Sequence, residues 1–228
     1  MNAKKVILLG ATGLVGEACA FKFFNEGFIV YGIARNKPLF NNAPFEFISL
    51  DLTTEQEKLC ELIIELSPDS IIVASGNHVE TDNKPASSNL FKLHFDLLNN
   101  ILNAARNMNK ATNCSIVFCS SIMAYIPDRI YPSYAGSKAG LNHYILSFVA
   151  QKNTAINLSA LVLGPIDKSN DSLFSVKPQK VANKLFKLSQ SKKNGLYFLP
   201  LYGKFIAVLA ILFPVLIERS IFKKRRVN

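Results

Sequence analysis

Apolar residues fall along this chain in two alternating rhythms. Short continuous apolar runs, bounded by turn formers, are separated by longer stretches where apolar positions recur every three or four residues. The first rhythm predicts buried strands and the second amphipathic helices. Strands are predicted at Val6–Leu9, Phe28–Ala34, Phe45–Leu50, Ser70–Ala74, Ser115–Cys119, Ile156–Leu163 and Gly195–Leu199. Helices are predicted from Leu14, from Thr53 to about Leu66, from about Ser88 to Asn107, from Tyr131 to Gln151, and from Pro178 to Ser189. Thr53-Thr54-Glu55-Gln56 reads as a capping box opening the second helix. Repeated strand–helix units imply an α/β protein, with a doubly wound parallel sheet between two helical layers and ligands at the carboxyl ends of the strands.

A chain of 228 residues with 49% hydrophobic content can bury one substantial core, so one domain is expected. Residues 1–200 form that domain in this reading, and 201–228 form an apolar, basic C-terminal segment. The four cysteines (Cys19, Cys60, Cys114, Cys119) show no metal-ligand spacing, and no metal is expected. Cys114 and Cys119 lie five apart on one strand and should face opposite sides of the sheet. With no apolar signal segment and no disulfide pattern, a cytoplasmic location is expected.

The net charge of +10 is concentrated in the tail, where residues 177–228 hold twelve Lys/Arg and a single acid, Glu218. The same region contains the most apolar run, Phe205 to Ile217, followed by Lys223-Lys224-Arg225-Arg226. Thirteen helical residues rise about 20 Å, short of a roughly 30 Å hydrocarbon core, and Pro214 interrupts them. The pattern therefore predicts a segment lying on an anionic membrane surface, on the cytosolic side. Burial against the chain's own core or a second subunit is the competing reading. A nucleic-acid partner is not expected, because no aromatic and basic interleaving accompanies the charge.

Candidate chemistry begins where the first strand meets Gly10-Ala11-Thr12-Gly13-Leu14-Val15-Gly16. Gly10 permits a sharp turn, Gly13 lets a pyrophosphate approach the backbone, and Gly16 lets the helix pack on the strand. The helix then points free amides and its positive dipole end at the phosphates. After the second strand, Ala34-Arg35-Asn36 offers no acid for a ribose 2′-hydroxyl, whereas Arg35 suits a 2′-phosphate. NADP is therefore expected in preference to NAD. Downstream, Tyr134 and Lys138 are four apart on a predicted helix and share a face. Ser121 arrives thirteen residues earlier, at a strand end. A lysine beside a phenol favours phenolate, and the serine can hold a substrate carbonyl, which is general acid chemistry beside a hydride donor.

These elements, with Asp51-Leu52, Ala74-Ser75-Gly76 and Leu163-Gly164-Pro165-Ile166, make the chain resemble the short-chain dehydrogenase/reductase family over essentially its whole length. The resemblance implies a single Rossmann-type domain, a nicotinamide cofactor, and carbonyl/alcohol interconversion by Ser121, Tyr134 and Lys138. It implies cofactor contacts at Gly10, Thr12, Gly13, Leu14, Val15 and Gly16, with Asp51 and Leu52 beside the adenine. Ala74, Ser75 and Gly76 should line the cofactor, and Gly164, Pro165 and Ile166 should touch the nicotinamide. Members pair through two long helices, here about 88–107 and 131–151, so a homodimer or homotetramer is expected. The family's usual helix asparagine, which anchors a proton-relay water, is replaced by His94, which is taken as a fourth catalytic residue, with a helix-packing role as the alternative. Asn89 is the nearest upstream asparagine. The glycine spacing is that of longer members acting on nucleotide sugars, while the tail is similar to that of small membrane-associated reductases. The rival functional reading is a non-catalytic dinucleotide-binding sensor or scaffold of the same fold.

Overall fold

The computed structural model describes residues 3–38, 44–76, 87–108, 114–151, 155–166, 175–191 and 193–222. Strands β1 (Lys5–Leu9), β2 (Ile29–Ala34), β3 (Glu46–Ser49), β4 (Ser70–Val73), β5 (Ser115–Ser121), β6 (Asn157–Leu163) and β7 (Gly195–Leu199) form one sheet. All pairings are parallel and the order is β3-β2-β1-β4-β5-β6-β7. The helices are α1 (Leu14–Asn25), α2 (Gln56–Leu66), α3 (Ser87–Phe91), α4 (Leu97–Arg106), α5 (Pro132–Ala150), α6 (Pro178–Gln190), α7 (Gly203–Leu212) and α8 (Pro214–Phe222). The expected Rossmann-type α/β architecture is the one observed.

Each central strand divides its side chains between two cores, which is why its sequence reads as an unbroken apolar run. Val6, Leu8, Ile72, Val117 and Leu161 pack under α1 and α6. Ile7, Leu9, Ile71, Val73, Ile116 and Phe118 pack under α2, α4 and α5. Cys114 and Cys119 fall in different cores, as their spacing predicted. The strand order reverses between β1 and β4, and the connections on either side diverge there to open a crevice.

Two local expectations need correction, and the expected interruption at Pro214 is observed. Helix α2 starts at Gln56, and Thr53 does not cap it: the Thr53 hydroxyl donates to Asp51 Oδ1 at 2.6 Å. The reciprocal bond comes instead from Glu55, whose Oε2 accepts the Asp51 amide at 2.9 Å. The helix predicted over 88–107 is interrupted by a π-helical turn at Lys92–Asp96, which inserts an extra residue per turn and buries His94. The apolar run at 205–217 is split, with α7 ending before Phe213 and Pro214 starting α8.

At Gly10 and Gly16 the β1–α1 turn has no room for a Cβ. A Cβ on Gly16 would stand 2.0 Å from the Gly10 carbonyl oxygen, whereas one on Gly140 in α5 would meet nothing within 4 Å. Gly16→Ala should therefore cost about 2 kcal/mol or more, while Gly140→Ala should gain about 0.5–1 kcal/mol from helix propensity. Denaturant unfolding of the two variants measures this, and a Gly16→Ala protein as stable as wild type would refute the close-approach account.

Candidate active site

The carboxyl ends of β1, β2, β4, β5 and β6 open into one cleft of about 1130 Å³. That slightly exceeds the roughly 300–1,000 Å³ of ordinary small-ligand pockets and suits a long ligand plus a second molecule. Gly10 forms the floor with φ of +83°, its amide donating to the Ile33 carbonyl at 2.8 Å. A Cβ there would sit 2.8 Å from the Ser75 nitrogen, so glycine is required by both conformation and space. Gly13 caps α1 without any side-chain bond, and Thr12, Gly13, Leu14 and Val15 line the wall. The first-turn amides of α1 have no intrahelical acceptor, which makes this an anion-binding end.

The next stretch of wall comes from Ala34, Arg35 and Asn36 after β2, and Leu50 to Thr53 after β3. Hydrogen bonds from Thr53, first side chain and then backbone, hold the Asp51 carboxyl below the usual carboxylate range, with Arg35 adding to the effect. Ala74, Ser75 and Gly76 leave β4, and Gly164, Pro165 and Ile166 leave β6. At the end of β5, Ser121 and Tyr134 share a hydrogen bond. Lys138 is buried and donates from Nζ to the Cys119 carbonyl at 2.8 Å. The Ser75 and Ser120 hydroxyls are buried in this wall without a partner among the described residues.

The structure thus gathers Ser121, Tyr134, Lys138 and every expected cofactor residue except Gly16 into one cleft. Gly16 lies behind the wall, against Gly10, where its role is packing. His94 is also absent from the wall: it is fully buried behind Gly76. Sequence reasoning missed Asn36, Thr53, Ser120 and Asp128, and gave Asn89 no role; all five line the cleft. The Asp128 carboxylate accepts the amides of Ile130 and Tyr131 at 2.9 and 3.1 Å, ahead of α5. Its signal was an Asx-turn residue just before Tyr131-Pro132.

A sequence model of the NAD dependent epimerase/dehydratase family matches residues 6–163. The chain belongs to this family. No curated protein sequence matches the chain. Among solved structures, a short chain dehydrogenase/reductase family protein aligns with a TM-score of 0.72 at 17% identity, over 86% of this chain and 94% of its own. A short chain dehydrogenase from Leptospira borgpetersenii serovar Hardjo-bovis, solved with bound NAD+, aligns with a TM-score of 0.71 at 20% identity, over 87% and 91%. A short-chain dehydrogenase from Streptomyces avermitilis gives 0.72 at 19% identity, over 100% and 99%. At these identities the likeness is one of fold.

In this epimerase/dehydratase family member, burial governs the ionisable groups of the site. It raises the Tyr134 phenol, against which the Ser121 hydrogen bond acts. It pulls the Lys138 ammonium down to about 8, slightly offset by Cys119. The Lys138 nitrogen lies 5.8 Å from the Tyr134 ring centre. His94 is pushed down to about 2, first by burial and then by the charge of Lys138. Its Nδ1 is 2.9 Å from the Ser137 hydroxyl, which itself donates to the Tyr134 carbonyl at 2.9 Å. A hydroxyl has one proton, so Ser137 accepts from His94 and the imidazole proton is assigned to Nδ1.

A neutral buried histidine opposes acid. The unfolded chain binds a proton at the ordinary histidine pKa, 6.5, and the folded chain only near 2, so stability is present above 6.5 and lost as pH falls below it. At about pH 5 the loss due to His94 should be about 2 kcal/mol. His94→Asn should flatten the fall in unfolding free energy between neutral and mildly acid buffer by that amount. A variant that loses as much as wild type would show that His94 is not held neutral.

Proposed function

We propose that the chain is a nicotinamide-dependent oxidoreductase interconverting a carbonyl and a hydroxyl, with NADP preferred over NAD. The observation that carries the reading is that Ser121, Tyr134 and Lys138 line the same cleft as the glycine turn that opens α1. The residues fit a dinucleotide: the floor has room only for glycine, and the buried Ser75 and Ser120 hydroxyls lack partners among the described residues. Gly10 and Thr12–Val15 would hold the pyrophosphate, Arg35 a 2′-phosphate, Asp51 and Leu52 the adenine side, and Lys138 the ribose hydroxyls. When bound, the cofactor supplies or accepts hydride.

The chain's own residues do the acid–base work. With its pKa raised, the Tyr134 phenol rests protonated, which suits proton donation from Oη to a carbonyl oxygen being reduced. Ser121, already hydrogen-bonded to that phenol, orients the same oxygen. In the oxidising direction, the phenol oxygen takes the proton back. His94 is a positioning residue, acting through Ser137 on the turn of α5 that bears Tyr134. Pairing of two copies belongs to the same reading, because Phe91, Phe95 and Leu146 leave exposed apolar side chains on the α3–α4 stretch and on α5.

Tyr134→Phe should lower turnover about 10²–10⁴-fold while leaving cofactor affinity unchanged, as removal of a general acid does. A panel of ketones, aldehydes and keto-sugars with NADPH provides the assay. A variant retaining most of the wild-type rate would discard Tyr134 as the acid, and tight NADPH binding with no turnover across the panel would make the protein a sensor. For the cofactor, Arg35→Ala should weaken NADPH by about tenfold or more and leave NADH unaffected, since only NADPH offers the charged partner. Equal loss for both would remove Arg35 from the phosphate role.

A further inference from the structure

Apart from Lys204 in its first turn, helix α7 is apolar all round, a pattern that belongs to a helix surrounded by nonpolar material. In the structure only one stripe is surrounded. Gly203, Ala207 and Ala210 are buried, with Ala210 in a small core with Ile126 and, at its edge, Ile122, Met123 and Tyr125. The large side chains point the other way: Phe205 is 78% exposed, Ile211 65% and Leu212 63%. The same face continues into α8 through Val215 and Leu216, both about 60% exposed. A water-facing helix shows the reverse arrangement, with its large apolar groups inside and its small or polar ones outside. An apolar strip of this kind marks a docking surface.

Charge decides what docks. Glu218, the only acid after Lys177, is paired with Arg129, which ties α8 to the loop ahead of α5. Lys204 and Arg219 stand exposed beside the apolar face. The sequence continues with Lys223, Lys224, Arg225 and Arg226, which lie outside the described residues. Two copies joined through this strip would bring like charges together, whereas anionic headgroups complement them. No helix among the described residues is long and apolar enough to cross a membrane. Ten residues of α7 rise about 15 Å, about half a hydrocarbon core.

We infer that α7 and α8 seat the protein on an anionic membrane surface, with Phe205, Ile211, Leu212, Val215 and Leu216 in the acyl boundary and the basic residues at the headgroups. Ile122 and Met123, which support α7 and α8, also line the cleft next to Ser121, so docking sets the cleft mouth beside the lipid. On the oxidoreductase reading, the substrate class that follows is a lipid-borne carbonyl or alcohol.

The test is flotation of the full chain with phosphatidylcholine vesicles, with or without phosphatidylglycerol. Wild type should float with the anionic vesicles at low salt and be only partly released at about 1 M salt, where the Debye length is about 3 Å and apolar contacts persist. Phe205→Asp with Leu212→Asp should reduce the bound fraction by about tenfold or more, since each side chain lies in the apolar strip. Replacing Lys223, Lys224, Arg225 and Arg226 by Gln should weaken anionic binding by roughly fivefold per charge. NADPH binding by the Asp variant, unchanged from wild type, shows that it is folded. Wild type left at the bottom of the gradient, dimeric until Phe205→Asp splits it, would overturn the inference in favour of a second copy. Flotation unaltered in the double Asp variant would overturn it as well. Flotation without any NADPH binding would keep the docking and remove the oxidoreductase reading.

Discussion

The close approach of three backbone segments at the β1–α1 turn is the constraint on which the rest of the site depends. Gly10 runs so near Ser75 that a Cβ would stand 2.8 Å from its nitrogen, and Gly16 presses on the Gly10 carbonyl more closely than any side chain allows. These contacts fix where α1 begins, and with it the direction of its free amides. They also join β1 to the loop leaving β4, at the point where the strand order reverses. A cleft opened there has its floor made of backbone, and Arg35, Asp51 and Gly76 line it from the neighbouring strand ends. The Ala74 amide donates to the Leu9 carbonyl at 2.9 Å, so the two central strands stay locked up to the rim of the cleft.

Burial makes the wall around Lys138 costly to keep. Lys138 is an ammonium with almost no exposure, held by the Cys119 carbonyl, and its pKa falls to about 8. Ser75 and Ser120 add hydroxyls with no partner among the described residues, and each such group costs about 1–3 kcal/mol. A ligand rich in hydroxyls and phosphates would relieve these penalties, and whatever binds only the folded state stabilises it. The groups that weaken the free protein are therefore the ones that a bound dinucleotide would satisfy.

Much of this was legible in the sequence, for physical reasons that can be named. Val6–Leu9 is buried on both faces, so it reads as a continuous apolar run, and the glycines after it announce a turn with no room for a Cβ at Gly10 and Gly16. Tyr134 and Lys138 share a helix face by spacing alone. What escaped was whatever depends on packing between distant segments. The Thr53–Gln56 stretch has the letters of a capping box, yet Asp51 captures the Thr53 hydroxyl and leaves Glu55 to bond backwards. Ser120 alternates with Ser121 at a strand end, and sequence could not say that both reach the cleft. The exposure of the wrong side of α7 was equally hidden, because the strip of small residues that faces inward is visible only once Ile126 lies against it.

His94 shows how one inserted residue changes a role. The family resemblance makes it a fourth catalytic residue on a regular helix through 88–107. The π turn at Lys92–Asp96 instead leaves the ring behind Gly76, with Nε2 only 2.5 Å from where a Cβ on that glycine would be. Such turns occur mostly as single insertions at functional sites. Its Nδ1 proton goes to Ser137, three residues after Tyr134 and one before Lys138, so a single turn of α5 carries the phenol, the latch and the cation. A charged imidazole there would face Lys138 in a dry interior, and burial together with that charge keeps it neutral. Neutrality leaves Nε2 with a lone pair beside Gly76, buried and without a hydrogen-bond partner among the described residues. The histidine therefore braces the turn of α5 that bears Tyr134 and Lys138 through its bond to Ser137.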